Sequence, residues 1–397
     1  MNILIIGENE FHPRTGGTES VSLLLGDEFR RAGHNVWFVA CRRSGYVVEG
    51  SDIHEQSMLP GGAENSEGNL EALSRFVREH EVQIIMNQFC HLPWLTDLCI
   101  DVRQRTEAKL VSTLHINPDY AIMRLLNLPR KGNSAIERVG RDLLRRLQRP
   151  SALRRACRRF SAIYKRVYEN SDRTVLLSEN YRRTFCRMIA ADEHNLDRLV
   201  AILNPTPIAS QRLDMSEKEN IVLFVGRMDI AHKRPDRMLR IWSEIEKRHP
   251  SWELVLLGDG QAMGQMKRLK GRLKLKRATF TGFVPPEEYY RRASVICMTS
   301  SYEGLPMTLI EAIRFGVTPV AFDSFESLSD IVDDGTDGFR VAPFDMKAYV
   351  GRLSQLLDDG ELRGRMAVNA IRKSDRFAPE VIIPQWLEMF DKILKEA

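Results

Sequence analysis

The stretch 293-ASVICMTSSYEGLPMTLIEAI-313 decides the fold class. Ala293–Met298 is apolar except for Ser294, as expected of a short strand buried on both faces. Leu309, Ile310, Ala312 and Ile313 follow with a helical period, and a Gly, a Pro and two carboxylates lie around the junction. The pattern reads as strand, tight turn and helix start. The first free N–H groups of such a helix form a natural anion site. Glu303 falls in the turn and Glu311 about two turns into the expected helix, so both can face one crevice at different depths.

The same grammar extends in both directions. Towards the N-terminus, Ile221–Val225 reads as a strand running into Gly226-Arg227-Met228-Asp229 and Lys233-Arg234-Pro235, before a helix bearing Met238, Leu239, Ile241 and Trp242. A glycine and two cations between a strand and a helix suit a phosphate cradle: Arg227 can clamp bidentately and Lys233 adds a point charge. A charged surface loop is the plainer alternative. Trp252–Leu257, Ala278–Phe280 and Thr318–Phe322 read as further strands, and Asp334–Phe339 as a turn.

The first half begins with the apolar strand Met1–Gly7 and a polar loop ending in Gly16-Gly17 before a helical pattern. There is no G-x-G-x-x-G, so this is not the dinucleotide fingerprint. Two glycines at a helix start allow close backbone approach; a plain flexible loop is the alternative. Val82–Met86, Lys109–Leu114, Arg173–Ser178 and Ala201–Leu203 read as strands. His115 closes the second of these, at the strand edge where open α/β sheets bind ligands; an exposed loop histidine is the alternative. Asn204-Pro205-Thr206-Pro207 is a rigid exit from the half.

The expected fold class is therefore α/β, with two Rossmann-like parallel-sheet domains: 1–207, with a helix at 380–397 returning to it, and 208–379. At 397 residues the chain exceeds one ordinary core. Six scattered cysteines form no C-x-x-C pair, which fits a reducing compartment. No leader or apolar membrane span is read, so a cytoplasmic location is expected. From Arg130 to Arg166 thirteen Lys/Arg face two acids, a balance of +11, so the rest of the chain carries −6 of the overall +5. Such a basic amphipathic segment fits an anionic membrane surface or acidic acceptor, a solvated face, or a nucleic-acid patch. It has little aromatic interleaving and no nucleic-acid motif, and no nucleic-acid partner is expected.

Taken together, these motifs resemble the retaining, nucleotide-sugar-dependent glycosyltransferases of family four, with the GT-B fold. Glu303 to Glu311 matches that family's E-x7-E signature. Gly226, Arg227 and Lys233, then Gly16-Gly17, then His115 are the other marks, in the family's order. The resemblance implies two Rossmann-like domains facing each other across a cleft, the first holding the acceptor and the second the nucleotide sugar. It implies that Arg227 and Lys233 bind the diphosphate, Glu311 the ribose hydroxyls, and Glu303 the donor sugar. Backbone N–H groups of Gly304, Leu305, Pro306-flanking Met307, Thr308 and Leu309 would hold sugar hydroxyls and phosphate. Gly16 and Gly17 would close over the phosphate, His115 would sit by the transferred sugar, and Val284 near the base. No cofactor or bound metal is implied. The donor is expected to be UDP-linked, carrying a hexose or N-acetylhexosamine, and the acceptor a glycan or lipid-linked sugar in surface polysaccharide or glycolipid synthesis, at the cytoplasmic membrane face. One departure stands out: where the family commonly has Lys-Gly, this chain has Lys233-Arg234-Pro235. Competing readings on the same architecture are a nucleotide-sugar epimerase and a non-catalytic nucleotide-sugar sensor.

Overall fold

The computed structural model describes residues 1–13, 16–43, 56–126, 135–192, 196–209 and 215–396, with the backbone alone at 121, 135–149 and 215. The chain divides into two compact units. The first comprises Met1–Asp119, Cys157–Pro207 and Phe377–Ala397, and the second Tyr120–Ala156 and Ile208–Arg376. The segment Tyr120–Ala156, placed in the first half by sequence, thus groups with the second unit.

In the order of the chain, the first unit and its connection contain β1 (Asn2–Asn9), α1 (Gly17–Arg31), β2 (Asn35–Arg42), β3 (Gln56–Met58), α2 (Glu67–Glu79), β4 (Ile84–Asn87), α3 (Pro93–Arg105), β5 (Lys109–Leu114), α4 (Tyr120–Leu126), α5 (Ala135–Asn170), β6 (Arg173–Leu176), α6 (Arg182–Ile189) and β7 (Leu199–Ala201). The strands form a parallel sheet of order β3-β2-β1-β4-β5-β6-β7. Its central strands carry continuous apolar runs because helices cover both faces: Ile3, Leu4, Ile5, Ile6, Ile84 and Ile85 are wholly buried.

The second unit contains β8 (Glu219–Val225), α7 (Pro235–Arg248), β9 (Glu253–Leu257), α8 (Met263–Arg272), β10 (Ala278–Gly282), α9 (Glu287–Arg292), β11 (Ala293–Met298), α10 (Met307–Arg314), β12 (Thr318–Phe322), α11 (Leu328–Ile331), β13 (Phe339–Val341), α12 (Met346–Asp358) and α13 (Gly360–Ser374). Its parallel sheet has the order β10-β9-β8-β11-β12-β13. Trp242, Leu254, Leu256, Phe322 and Tyr349 build the core around it, and the Tyr349 hydroxyl donates to the Val320 carbonyl at 2.6 Å.

The last helix, α14 (Pro379–Lys395), belongs to the first unit. Phe29 of α1 meets Trp386 and Phe390 edge-on at 6.5 and 5.6 Å between centroids. Beyond the helix, Glu396 pairs with Arg173 at 2.6 Å, and its carbonyl accepts from the Lys109 ammonium at 2.8 Å.

Two expectations need correction. Helix α10 starts at Met307, because the Pro306 backbone is extended (ψ 96) and forms the N-cap; Glu311 therefore lies just over one turn in, not two. Phe339, read as the end of a turn, instead begins β13, which pairs with β12 after the turn closes through Gly335 at φ +77.

Candidate functional site

In each sheet the strand order reverses at one place, between β1 and β4 in the first and between β8 and β11 in the second. Ligands of open α/β sheets bind outside the carboxyl ends of the strands at that switch point. Most residues singled out from sequence lie at or beside these two places; Val284 follows the edge strand β10.

In the second unit, β8 runs out at Val225 into Gly226-Arg227. Gly226 N–H donates to the Leu257 carbonyl at 3.0 Å, and a Cβ added at Gly258 would lie 2.1 Å from the Gly226 carbonyl oxygen. Gly258 thus lets the ends of β8 and β9 touch backbone to backbone. Asp229 closes the loop beyond, its carboxylate accepting from the Ala231 N–H at 2.7 Å and the His232 N–H at 3.3 Å. Arg234 then caps α7 in the left-handed region (φ 56), with Pro235 at the first helical position. That backbone geometry costs a glycine nothing, which is the physical meaning of the glycine expected there. Here the Arg234 guanidinium instead clamps Asp236 at 2.8 and 2.9 Å, and the loop keeps its shape.

This loop is joined to the turn after β11. Ser301 N–H donates to the His232 carbonyl at 2.8 Å, and the Thr299 hydroxyl to the Arg234 carbonyl at 2.9 Å. The Ser324 and Ser327 hydroxyls donate to the carbonyls of Ser300 and Gly304 at 2.9 and 2.6 Å, holding both on the protein side. The result places Glu303, 6 % exposed, against the Lys233 ammonium and the His232 ring. Its Oε1 lies 2.7 Å from the Lys233 Nζ and its Oε2 3.3 Å from the His232 Nε2. Burial opposes the charged form of Glu303, but Lys233 and His232 outweigh it and hold the carboxyl well below the usual carboxylate range. The His232 ring stacks on Tyr302 at 4.5 Å and 4°, and Tyr120 meets Tyr302 edge-on at 5.6 Å. Burial, with Tyr120 beside it, pushes the Tyr302 hydroxyl up to about 12.

Around this pair, Arg227 is exposed and makes no ion pair among the described residues. Helix α10 opens at Pro306 with no side-chain cap, so Met307 and Thr308 present the positive end of its dipole. One turn in, the Tyr290 hydroxyl donates to Glu311 at 2.9 Å; burial raises the Glu311 carboxyl, and that bond partly offsets it. Val284 is partly exposed two residues beyond Gly282, which has φ +75. The cations, one buried carboxylate and an uncapped helix start suit an anion that spreads its charge over several oxygens.

In the first unit, Gly16 caps α1 with extended backbone and no side-chain bond, and nothing lies within 4 Å of a Cβ added at Gly17. His115 is buried, not exposed, and its Nε2 bonds the side-chain oxygen of the wholly buried Gln88, at the end of β4. Burial, with His91 adding to it, pushes the His115 imidazole down to about 3, so the ring is neutral at physiological pH. It is therefore a hydrogen-bonding group with its orientation set by Gln88, not a proton shuttle. Because the unfolded histidine binds a proton near pH 6.5 and the folded one does not, stability falls as pH drops from 6.5 towards 3, by about 1.4 kcal/mol per pH unit for this group. Urea unfolding between pH 7 and 5 is expected to show a shallower dependence in His115→Asn than in wild type; equal slopes would contradict the buried neutral ring.

Sequence reading missed His232, Tyr302, Tyr290 and Gln88. Only Gln88 carried a readable signal: Asn87-Gln88 puts two amides at the end of an apolar strand. The basic segment forms α5, continuous through Pro150. Arg130 lies outside the described residues, as do the side chains of Arg138, Arg141, Arg145 and Arg149. Arg154, Arg155, Arg158 and Arg159 are exposed with no ion pair among the described residues, whereas Arg166 pairs with Asp97.

Comparison with known proteins decides the family. Residues 15–205 match Glycosyltransferase Family 4, and residues 206–373 match Glycosyl transferases group 1. The chain belongs to the family-four glycosyltransferases. It is 34% identical over 178 residues to the amylovoran biosynthesis glycosyltransferase AmsD of Erwinia amylovora, covering 44% of this chain and 49% of that protein. It is 30% identical over 205 residues to a Campylobacter jejuni alpha-1,4-N-acetyl-D-galactosaminyltransferase whose name includes diNAcBac-PP-undecaprenol, covering 51% and 56%. These matches span about half the length of the curated relatives. The structure of Anabaena HepE in complex with UDP and glucose superposes with a TM-score of 0.74 at 14% identity, over 99% of this chain and 100% of that one. At that identity the likeness establishes the fold, and the fold is GT-B. Among the described residues no helix is long and apolar enough to cross a membrane.

Proposed function

We propose that this family-four glycosyltransferase moves a hexose or N-acetylhexosamine from a UDP-sugar to a glycan or lipid-linked acceptor, with retention of anomeric configuration, in surface polysaccharide or glycolipid synthesis. The observation that carries the reading is the buried Lys233–Glu303 pair beside Arg227 and the uncapped start of α10, at the switch point of the second sheet. The polysaccharide and undecaprenol-linked names of its relatives support the acceptor class.

In this reading Arg227, Lys233 and the α10 N-terminus take the diphosphate, where charge accumulates as the sugar leaves. The work that a metal does elsewhere falls to these groups, and the reading requires none. Glu303 orients the donor sugar, Glu311 holds the ribose hydroxyls with Tyr290 fixing its carboxylate, and Val284 borders the base. Gly16 and Gly17 approach the phosphate, and neutral His115 bonds a sugar hydroxyl. The acceptor oxygen bonds to the anomeric carbon on the face the phosphate leaves. The carbon–oxygen bond to the diphosphate breaks, its electron pair stays with the phosphate oxygen, and that oxygen takes the acceptor's proton. Glu303 is no general base here, since Lys233 and the His232 ring beside it hold it ionised far below neutrality. The exposed arginines of α5 attract an anionic membrane face on the cytoplasmic side, where a lipid-linked acceptor resides.

A thermal-shift screen of nucleotide sugars tests the donor class. The right donor at a hundredfold its Kd is expected to stabilise by about 2.7 kcal/mol, with UDP-sugars ahead of GDP- and ADP-sugars. NMR of the product then tests retention, and an inverted anomer would sink it. Donor conversion without any acceptor would replace the reading by epimerisation, and binding without turnover by a sensor.

A further inference from the structure

Outside α5 the chain is mildly acidic on average, yet one stretch of the second unit is not. From Gly260 to Pro286 there is no Asp or Glu, and Lys267–Arg277 reads KRLKGRLKLKR. Its apolar positions face inward: Leu269 and Leu275 belong to the core, and Leu273 packs against it. Every other position except Gly271 is a cation. Lys267, Arg268, Arg272, Lys274 and Lys276 are exposed and Lys270 partly so, and none of the six makes an ion pair among the described residues. Arg277 is different, since its guanidinium is spent on the carbonyls of Trp252 and Glu246.

An ordinary solvated face mixes signs, because like charges at neighbouring positions repel. The C-terminal dipole of α8 accounts for Lys270 and Arg272, which lie in its last turn. It does not account for Lys267 and Arg268, or for Lys274 and Lys276 beyond the helix. Lys274 even occupies the left-handed region at φ 56, where Gly or Asn is the less costly choice. The stretch precedes β10, so it lies towards the amino-terminal edge of the second sheet, away from the carboxyl edge that carries Arg227, Lys233 and Glu303.

We propose that Lys267–Lys276 is a second docking surface for an anionic lipid bilayer, built from residues of the second unit outside α5. It extends the membrane-side reading given above but rests on its own cations. The chemistry favours a bilayer over other polyanions. Four of the six unpaired cations are lysines, point charges suited to a diffuse field, where discrete phosphates favour the fork of arginine. No aromatic side chain lies between Lys267 and Arg277 to stack a base. All the leucines face inward, so attachment is electrostatic, without insertion, and falls with salt.

The test uses the full chain and co-sedimentation with phosphatidylglycerol–phosphatidylcholine vesicles, against phosphatidylcholine alone. Each cation near an anionic surface multiplies partitioning about fivefold. Lys267→Gln/Arg268→Gln/Lys274→Gln/Lys276→Gln is expected to lose at least about tenfold in binding to the anionic vesicles. Lys267→Arg/Lys274→Arg/Lys276→Arg is expected to bind as wild type, and the two halves of the quadruple change to give graded losses. All are exposed positions, and thermal melts are expected to match wild type. Wild-type partitioning by the quadruple variant would overturn the proposal. So would loss of binding to RNA or polyphosphate with vesicle binding intact. Arg154→Gln/Arg155→Gln/Arg158→Gln/Arg159→Gln, measured alongside, separates the two surfaces: binding lost only there refutes this proposal and leaves the α5 reading standing.

Discussion

Lys233→Met is expected to lower kcat/KM by about a thousandfold or more and to destabilise the protein by about 2–3 kcal/mol. Both effects come from one contact. Glu303 is buried and ionised because Lys233 sits 2.7 Å away, with His232 at 3.3 Å as the weaker support. Without the ammonium, burial dominates and the carboxyl rises. In wild type its depressed value contributes stability above the unfolded carboxylate range, lost as pH falls through the folded value. The difference between variant and wild type is therefore largest at neutral pH and shrinks as pH falls through the variant's raised carboxyl value towards the wild type's depressed one. Urea unfolding at pH 7 and pH 4 reads it directly. The double variant Lys233→Met/Glu303→Gln should recover most of the stability, since removing both charges leaves nothing buried and unpaired, yet remain inactive. A single variant that keeps a tenth of wild-type activity would remove Lys233 from the chemistry; a double variant as unstable as the single one would refute the electrostatic account.

Arg227→Ala is expected to do the opposite: stability within about 0.5 kcal/mol of wild type, with kcat/KM down about a hundred- to thousandfold. The guanidinium is exposed and holds nothing in the described structure, so its removal breaks no contact in the fold. Its expected work begins only when a diphosphate arrives. Arg227→Lys keeps the charge but loses the bidentate fork and should fall between. Matched melting curves with donor titrations check both halves, and unchanged turnover would remove Arg227 from the site.

The contrast between these two cations was not legible in the sequence, where they stand six positions apart in one loop. The same is true of Gln88, whose partner His115 lies on the neighbouring strand, and of Tyr290, which reaches Glu311 from before β11. The Lys233-Arg234-Pro235 departure was visible, but its consequence was not. Only the positive φ at Arg234 explains what a glycine would do there, and only the Asp236 clamp shows what takes its place.

What the sequence by itself determined is local: unbroken apolar runs that demand a doubly covered parallel sheet, glycines and prolines that end strands and open helices, and the carboxylates and cations placed at those ends. That sufficed for the α/β class, for the two-unit organisation and for the resemblance to family four. What only the tertiary structure decided is which of those groups neutralise one another. Parallel strands that neighbour in space are separated by whole helices and strands in the chain, so β8 and β11 deliver Lys233 and Glu303 to one point from positions seventy residues apart. Burial at that point then sets their charge, because a carboxylate removed from water stays ionised only where the fold supplies its cations.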